Sequence, residues 1–340
     1  MNDKTVATAA KGTRMTELEG LMFYEQTLGK AAGFSDRSIE STILALETLQ
    51  SFLIETGRTT DVSMITIDDI RAFIVHLMTV KRYEKHPYAS KQKDGLSPVT
   101  VNIYLRASRA AFNRWVNDGI IEKSAFAGLK LPKLPEKIMP IFTEEQIQAM
   151  LKAIDTSTPV GFRNSLLVQL YLDTGCRLSE ITNARMDDID WKMKTIRVWG
   201  KGKKERLVPF GYTVAKLLWK YVNQYRPEPA LPEYDNIFLI WDGHPLSPRR
   251  VERIFKKIGD RTGIKGVRCS PHTGRHTFCS IFLRNKGDLV SLQRIVGHST
   301  IQTTQKYIHL FPDDICQVHS ECSPIDHLGR SKEKRKEKNR

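Results

Sequence analysis

Side chains suited to attacking a phosphodiester recur in the C-terminal half of the sequence. Tyr307 ends the run GHSTIQTTQKY, while Arg177 and Arg275 lie in the segments TGCRLSE and HTGRH. A guanidinium is planar, permanently charged and able to bind two phosphate oxygens at once. A tyrosine hydroxyl has a reference pKa near ~10, so it becomes a nucleophile only when its surroundings activate it. The combination predicts attack by a tyrosine on a phosphate whose charge two arginines neutralise.

The overall charge supports a polyanionic partner. The 340-residue chain has a formal net charge of +15, and phosphate contacts by Lys and Arg release bound counterions. A generic basic surface is the alternative, but the basic residues gather in discrete segments. We therefore expect double-stranded DNA as the partner.

The cysteines and the hydropathy pattern indicate where the protein works. The five cysteines form no CxxC pair and are odd in number, which favours reduced thiols. The sequence begins without an apolar leader, and no segment approaches the ~18 apolar residues of a membrane span. We expect a cytoplasmic protein that has no contact with a membrane.

Helical signals dominate the N-terminal half. Apolar spacing predicts a helix over about 38–55, a second begins at the capping residue Thr66, and a third runs from Ser97 and Pro98 to Gly119. The third helix has basic residues beside its apolar face, and we consider them candidates for DNA contact as well as ordinary helix edges: Arg106, Arg109 and Arg114. Residues 80–96 are polar and basic, and we interpret them as a loop.

A proline-rich segment separates two domains. Residues 131–141 contain three closely spaced prolines and cannot form a regular helix or a central strand. A capping-box pattern at Thr143 and Gln146 then starts a new domain. We divide the chain into a disordered lead (1–14), a helical domain (15–130), a linker (131–141), a second domain (142–329) and a basic disordered tail (330–340).

The second domain contains one clear β signal. Residues 195–199 and 206–210 alternate in the manner of strands, and the lysine-rich turn GKGKKE joins them. The remainder of this domain has helical patterns. The sequence thus predicts an α+β fold that is mainly α with a small antiparallel sheet.

The motifs around Arg177, Arg275 and Tyr307, together with the lysine-rich turn between them, resemble those of the tyrosine recombinase (phage integrase) family in their order and spacing. The Xer-like and mobile-element integrases are the most similar members. The resemblance is specific over about 142–315 and weaker over the N-terminal helices. It implies a catalytic domain at 142–329 and an all-helical, SAM-like core-binding domain at 15–130. Together these domains would form a C-shaped clamp around DNA.

The resemblance also implies a role for each site residue. The phosphate clamp would be Arg177 and Arg275, with Glu180 supporting the site by a hydrogen bond. The general acid on the leaving oxygen would be Lys201, with Lys203 and Lys204 as rivals or plain DNA contacts. The remaining roles would be His272 as acid/base, His298 as a phosphate ligand and Tyr307 as nucleophile. We expect His276, directly after the arginine, to face elsewhere in a hydrogen-bonded structural role.

The implied reaction is a transesterification in two steps, without metal or cofactor. Tyr307 would form a 3′-phosphotyrosine and free a 5′-hydroxyl, which then attacks the partner strand. A homotetramer on two specific sites would exchange strands through a Holliday junction, with a directionality factor as a further partner. The basic loop at 80–96 and the basic tail favour an integrase of a mobile element, and Xer-type resolution of chromosome or plasmid dimers is the alternative.

Two other classes and one metal site stay open. A type IB topoisomerase would use the same constellation on one duplex, and a DNA-binding descendant without catalysis would have lost part of it. The cysteines and histidines between 316 and 327 have donor types that bind zinc, although their spacing matches no known finger: Cys316, His319, Cys322 and His327. The alternative for that segment is a tail that docks onto a neighbouring protomer.

Overall fold

The computed structural model describes residues 16–80, 95–132, 139–200, 204–307 and 323. The chain divides into two compact units, residues 1–137 and 138–340. Their boundary falls inside the segment 131–141 that the sequence interprets as a linker. The predicted lead (1–14), most of the basic loop (81–94) and the predicted tail (330–340) lie outside the described residues.

The described residues of the first unit form four helices. Its helices are α1 (Leu18–Ala31), α2 (Asp36–Glu55), α3 (Ile67–Thr79) and α4 (Pro98–Asn117). Their apolar faces meet in one core, whose largest fully buried side chains are Phe73, Phe112 and Trp115. The all-helical prediction for the described part of this unit is confirmed.

Capping residues fix where three of these helices begin. Ser35 and Ser97 each accept a hydrogen bond from a backbone amide of the first turn, and Thr66 forms a capping box with Asp69. Such caps satisfy amides that have no partner within the helix. The predictions from Thr66 and from the Ser97–Pro98 pair are therefore confirmed.

Helix α1 was absent from the sequence prediction. Its N-cap Glu17 makes no side-chain capping bond, and its buried face contains Glu25 and Gly29 where apolar residues would be expected. Glu25 is buried because Arg114 of α4 pairs with it. An ion pair between distant helices leaves no trace in the local hydrophobic period.

The second unit is α-helical with one small sheet. Its elements in chain order are α5 (Glu144–Lys152), α6 (Pro159–Thr174), α7 (Leu178–Asn183), β1 (Ile189–Asp190), β2 (Thr195–Trp199), β3 (Glu205–Pro209), α8 (Tyr212–Lys220), α9 (Pro248–Thr262), α10 (Pro271–Arg284), α11 (Leu289–Val296) and α12 (Ile301–Gln305). The predicted fold class, mainly α with a small antiparallel sheet, is confirmed.

The sheet has the order β1-β2-β3 and is antiparallel throughout. Arg197 of β2 pairs with Leu207 of β3, and Ile196 pairs with both Ile189 and Val208. One face, with Ile196 and Val208, is buried in the core, while the opposite face is exposed.

The core of this unit surrounds α6. Nine residues of α6 are buried, and α10 packs along this helix. The ring of Tyr171, which lies on α6, contacts the ring of Phe255 on α9 edge to face. α6 ends at Gly175, whose φ of 58° lies in the left-handed region. A Cβ at Gly175 would come within 2.3 Å of the Phe278 ring, so the close approach of α10 requires glycine here. No helix in the described ranges is long and apolar enough to span a membrane.

Candidate active site

Three arginines converge on the C-terminal end of α11. Arg206 donates from Nε to the carbonyl of Ile295, Arg275 from Nη2 to Val296, and Arg177 from Nη2 to Gly297, at 2.7, 2.8 and 2.7 Å. The last carbonyls of a helix have no partner within it, and the helix dipole makes that end negative. Three successive carbonyls thus hold three guanidinium groups side by side.

Glu180 supports this arginine cluster from beneath. Its carboxylate, 3% exposed, accepts the Arg177 amide and side chain at 2.6 and 2.8 Å and both terminal nitrogens of Arg206 at 2.7 and 2.8 Å. Burial alone would raise the pKa of Glu180, but the hydrogen bonds and charge of Arg206, with those of Arg177, hold it below its ordinary value. Glu180 is therefore an anion that fixes two arginines, and its supporting role in catalysis stays a prediction.

Arg206 was not among the predicted site residues. It lies on β3 after the lysine turn, and its side chain is 14% exposed. The sequence signal was present, because an arginine follows the GKGKK turn, but only the fold brings it to Glu180 and α11. Gly297 permits this contact: its φ is 67°, and a Cβ there would lie 2.9 Å from the Arg206 guanidinium carbon.

Arg275 is the most enclosed of the three arginines. It lies on α10, is 5% exposed, and also donates from Nη1 to the carbonyl of Gly175 at 2.7 Å. Arg177 is more open, with 38% of its side chain exposed. The predicted pair Arg177 and Arg275 is thus brought together, with free donor capacity on the Arg177 side of the cluster.

Tyr307 lies beside the arginine cluster with its hydroxyl inside the protein. It is 7% exposed and packs with Cys279, Leu292 and Val296. Burial, the nearby Cys279 and its hydrogen bond raise the pKa of the Tyr307 hydroxyl well above the ordinary value. The phenol is therefore protonated at neutral pH, and ionisation needs a proton acceptor.

Two histidines of α10 lead from this hydroxyl toward solvent. The Tyr307 hydroxyl is 2.5 Å from His276 Nδ1, and His276 Nε2 is 2.9 Å from His272 Nε2. His276 was expected to face elsewhere, and this expectation is wrong, because positions i and i+4 share one helix face. Its hydrogen-bonded state was expected, but its partner is the predicted nucleophile.

His298 lies on the other side of the Tyr307 ring. The two rings are nearly parallel, at 6° with centroids 6.4 Å apart, and His298 Nδ1 is 2.9 Å from the Thr304 hydroxyl. That bond leaves Nε2 free to meet a ligand. Burial, followed by the charges of Arg275 and Arg177, lowers the pKa of His298 to about 4. A neutral imidazole beside the arginines suits a hydrogen bond to a phosphate oxygen.

The predicted lysines are described only in part. Lys204 is exposed at the start of β3, while Lys201 and Lys203 lie outside the described residues. The candidate zinc donors Cys316, His319, Cys322 and His327 also lie outside them. Within the described ranges, no three His, Cys, Asp or Glu side chains are placed to hold a metal ion.

The candidate DNA contacts on α4 differ in exposure. Arg114 is paired with the buried Glu25, and Arg109 donates to the Leu129 carbonyl at 2.6 Å. Both guanidinium groups thus serve the packing of the helical domain, contrary to a simple surface role. Arg106 is exposed, and its contact with DNA stays a prediction.

Comparisons with known proteins identify the family of the chain. The model of the phage integrase family matches residues 140–313. The chain is similar to the tyrosine recombinase XerD of Listeria monocytogenes, with 30% identity over 294 residues, covering 86% of this chain and 94% of the relative. It is also similar to XerC of Bacillus licheniformis, with 29% identity over 275 residues, covering 78% and 90%.

Solved structures share the fold. The Tn1549 transposon integrase in complex with transposon right end DNA has a TM-score of 0.68 at 20% identity, covering 88% of this chain and 98% of that one. The XerH recombinase bound to palindromic difH substrate has a TM-score of 0.66 at 20% identity, covering 89% and 84%. With the family match over the arginine, histidine and tyrosine motifs, these findings establish that the chain belongs to the phage integrase family and is a tyrosine recombinase, an enzyme that transfers DNA strands.

Proposed function

We propose that this recombinase cuts and rejoins double-stranded DNA at a specific site, with Tyr307 as the nucleophile. The observation that carries the proposal is the convergence of Arg177, Arg275, His298 and Tyr307 around the end of α11. The net charge of +15 suits a DNA partner. The XerH and Tn1549 integrase structures, both with DNA, support the same partner.

In the proposed reaction the Tyr307 oxygen attacks the phosphorus. The bond from phosphorus to the 5′ oxygen breaks, a 3′-phosphotyrosine forms, and Lys201 gives its proton to the leaving oxygen. Arg177, Arg275 and His298 neutralise and orient the non-bridging oxygens, and such electrostatic stabilisation is the largest single contribution in many enzymes. The freed 5′-hydroxyl of a second strand then attacks the phosphotyrosine. A new phosphodiester bond forms as the bond to Tyr307 breaks, so the number of phosphoester bonds stays the same.

Two biological roles fit this chemistry. The basic loop at 80–96 and the basic tail favour an integrase that inserts or excises a mobile element. The XerD and XerC relatives, which match most of the chain, favour dimer resolution equally. In either role we propose four protomers on two sites, and for an integrase a directionality factor in addition.

The test is to isolate SDS-resistant protein–DNA adducts from cells and to sequence the attached DNA. The wild-type chain is compared with Tyr307→Phe and with Tyr212→Phe, because Tyr212 is 66% exposed on α8 and serves as a matched control. Adducts at a recurrent site in the wild type and the control, and none in Tyr307→Phe, are expected. Adducts from Tyr307→Phe would overturn the assignment of the nucleophile, and scattered adducts would favour a topoisomerase.

The position of the recurrent site then separates the two roles. Adducts at the ends of a mobile element indicate integration and excision. Adducts at one place in the chromosome or in a plasmid, away from the ends of any mobile element, indicate dimer resolution. A plasmid with two directly repeated copies of the recovered site should be resolved into two circles, by the wild-type chain in dimer resolution and by the chain with its directionality factor in an integrase.

A further inference from the structure

A continuous hydrogen-bonded path joins the Tyr307 hydroxyl to the protein surface. The path runs from Tyr307 to His276 Nδ1 at 2.5 Å and from His276 Nε2 to His272 Nε2 at 2.9 Å. Exposure increases along it: Tyr307 is buried, His276 is partly buried and His272 is exposed. Among the described residues, the path thus leads from a buried tyrosine to an exposed histidine.

The helix α10 holds both histidines in line. They lie one turn apart, and their rings meet edge to face with centroids 4.3 Å apart. Ser270 caps the first turn of α10 by accepting from the Thr273 amide, and Arg275 ties the same turn to Gly175 and Val296. A base on a rigid element can stay within the hydrogen-bond distance that proton transfer requires.

The other described neighbours of the hydroxyl are poor proton acceptors. Burial raises the pKa of the Cys279 thiol to about 11, so this neighbour is a neutral thiol at neutral pH. His298 is bonded through Nδ1 to Thr304, its ring centroid lies 6.4 Å from that of the phenol, and the described contacts include no hydrogen bond between His298 and the hydroxyl. The guanidinium groups of Arg177 and Arg275 cannot take a proton.

We propose that His276 is the general base for Tyr307 and that it passes the proton to His272, which releases it to water. His276 is therefore a catalytic residue, since it contacts the reacting oxygen. This inference rests on the proposed function, because it takes Tyr307 as the nucleophile. It adds a residue that the resemblance did not assign to the reaction.

The proton transfer balances within the two imidazoles. Before attack, the Tyr307 hydroxyl donates to His276 Nδ1, and His276 Nε2–H donates to His272 Nε2, whose Nδ1 carries its own proton. As the oxygen–phosphorus bond forms, the phenol proton moves to Nδ1 of His276 while the Nε2 proton moves to His272. His276 ends neutral in its other tautomer, and His272 ends as the imidazolium. In the rejoining step the proton returns by the same path.

The charges around the path favour transfer when DNA is present. In the free protein, burial and then the charges of His272 and Arg275 lower the pKa of His276 to about 4, so the base is neutral and ready to accept. Burial and Arg275 also lower the pKa of His272. A phosphate bound at Arg177 and Arg275 would offset the positive charge and raise the proton affinity of both rings as the phenol is attacked.

The test is the rate of adduct formation by His276→Asn at saturating duplex DNA that contains the recombination site. Asparagine preserves an acceptor for the Tyr307 hydroxyl but has no second nitrogen to continue the path. Loss of a general base predicts a fall of about 10²–10⁴-fold in rate, with unchanged DNA affinity. His244→Asn, an exposed histidine paired with Asp242, is the matched control and should keep the wild-type rate.

Two further experiments, one with an altered leaving group in the DNA and one with an altered tyrosine at position 307, separate a general base from a structural residue. A 5′-bridging phosphorothiolate, whose thiolate leaves without an acid, should not restore His276→Asn, because the defect lies on the nucleophile. A fluorinated tyrosine at position 307, with a lower phenol pKa, should shrink the gap between the His276→Asn and unsubstituted chains by about tenfold or more. His276→Gln serves as a second variant if the asparagine chain does not fold.

The outcomes are distinct. Wild-type rates in His276→Asn, or restoration by the phosphorothiolate, would overturn the relay while leaving Tyr307 as nucleophile. An unchanged gap with fluorotyrosine would also overturn it, since a residue that only packs against the ring gains nothing from a more acidic phenol. Adducts from Tyr307→Phe would instead remove the proposed function itself.

Discussion

Replacement of Gly297 by alanine should disturb the arginine cluster by displacing Arg206, although Gly297 itself contributes no side chain. Gly297 ends α11 with φ 67°, and a Cβ there would lie 2.9–3.0 Å from three atoms of the Arg206 guanidinium. Real Cβ atoms essentially never approach that closely, so Arg206 must move. Its bonds to Ile295 and Glu180 hold it in place and make that movement costly.

Gly263 provides a control with the same backbone and an empty neighbourhood. It ends α9 with φ 63°, and a Cβ there would meet no atom within 4 Å. Alanine at either position costs roughly 1–2 kcal/mol for the left-handed conformation. Gly297→Ala should cost about 1.5–3 kcal/mol more, the worth of one hydrogen bond to a charged group.

The measurements are urea unfolding and the rate of adduct formation at saturating DNA. Because Glu180 joins Arg206 to Arg177, we expect Gly297→Ala to lower that rate by about ten- to a hundredfold, less than the ~10²–10³-fold that loss of a direct donor causes. Gly263→Ala should keep the wild-type rate. Equal stabilities for the two variants would contradict the contact with Arg206. Equal rates would contradict the coupling through Glu180.

The remaining predictions concern pH and the helical domain. Burial and neighbouring positive charge lower the pKa of His276 and His298 to about 4, whereas the unfolded residues titrate near ~6.5. The unfolded state then binds more protons, so the free energy of unfolding should fall as pH drops from ~6.5 to about 4, and His276→Asn should flatten that fall in urea titrations. Arg114→Ala should cost about 3–5 kcal/mol in urea unfolding, because it leaves the buried Glu25 carboxylate without its partner; a cost below about 1 kcal/mol would refute the pair. Arg106→Ala should leave stability unchanged and, if Arg106 contacts phosphate, should reduce the slope of log affinity against log salt by about 1.

Local signals were sufficient wherever a local interaction decides the structure. Thr66, Ser97 and Thr143 cap helices because a side chain and an amide three residues later satisfy each other. The hairpin follows from alternation on either side of a glycine-rich turn. Helix α1 was missed because its buried face includes Glu25, which is stabilised by a helix far away in the sequence.

Only the site residues that lie inside recognisable motifs could be predicted from the sequence. The structure brings Arg177, Arg275, His298 and Tyr307 together, and the motifs had marked all four. Arg206, in contrast, becomes important through Glu180, and no spacing rule expresses that contact. His276 was assigned to another face although the helical period places it beside His272, since the interpretation weighed its adjacency to Arg275 above its position four residues after His272.

The row of carbonyls at the end of α11 also bears on how tightly DNA is held. Ile295, Val296 and Gly297 fix the three arginine side chains before any phosphate arrives. An arginine that is free in solution gives up ~2 kcal/mol of rotamer entropy when it is immobilised. Here the arginine side chains lose that rotamer entropy when the protein folds, so no further loss accompanies DNA binding. A lysine at position 177 or 275 would therefore lose this preorganisation along with the fork geometry, and we expect the affinity for the phosphate to fall even though the charge is the same.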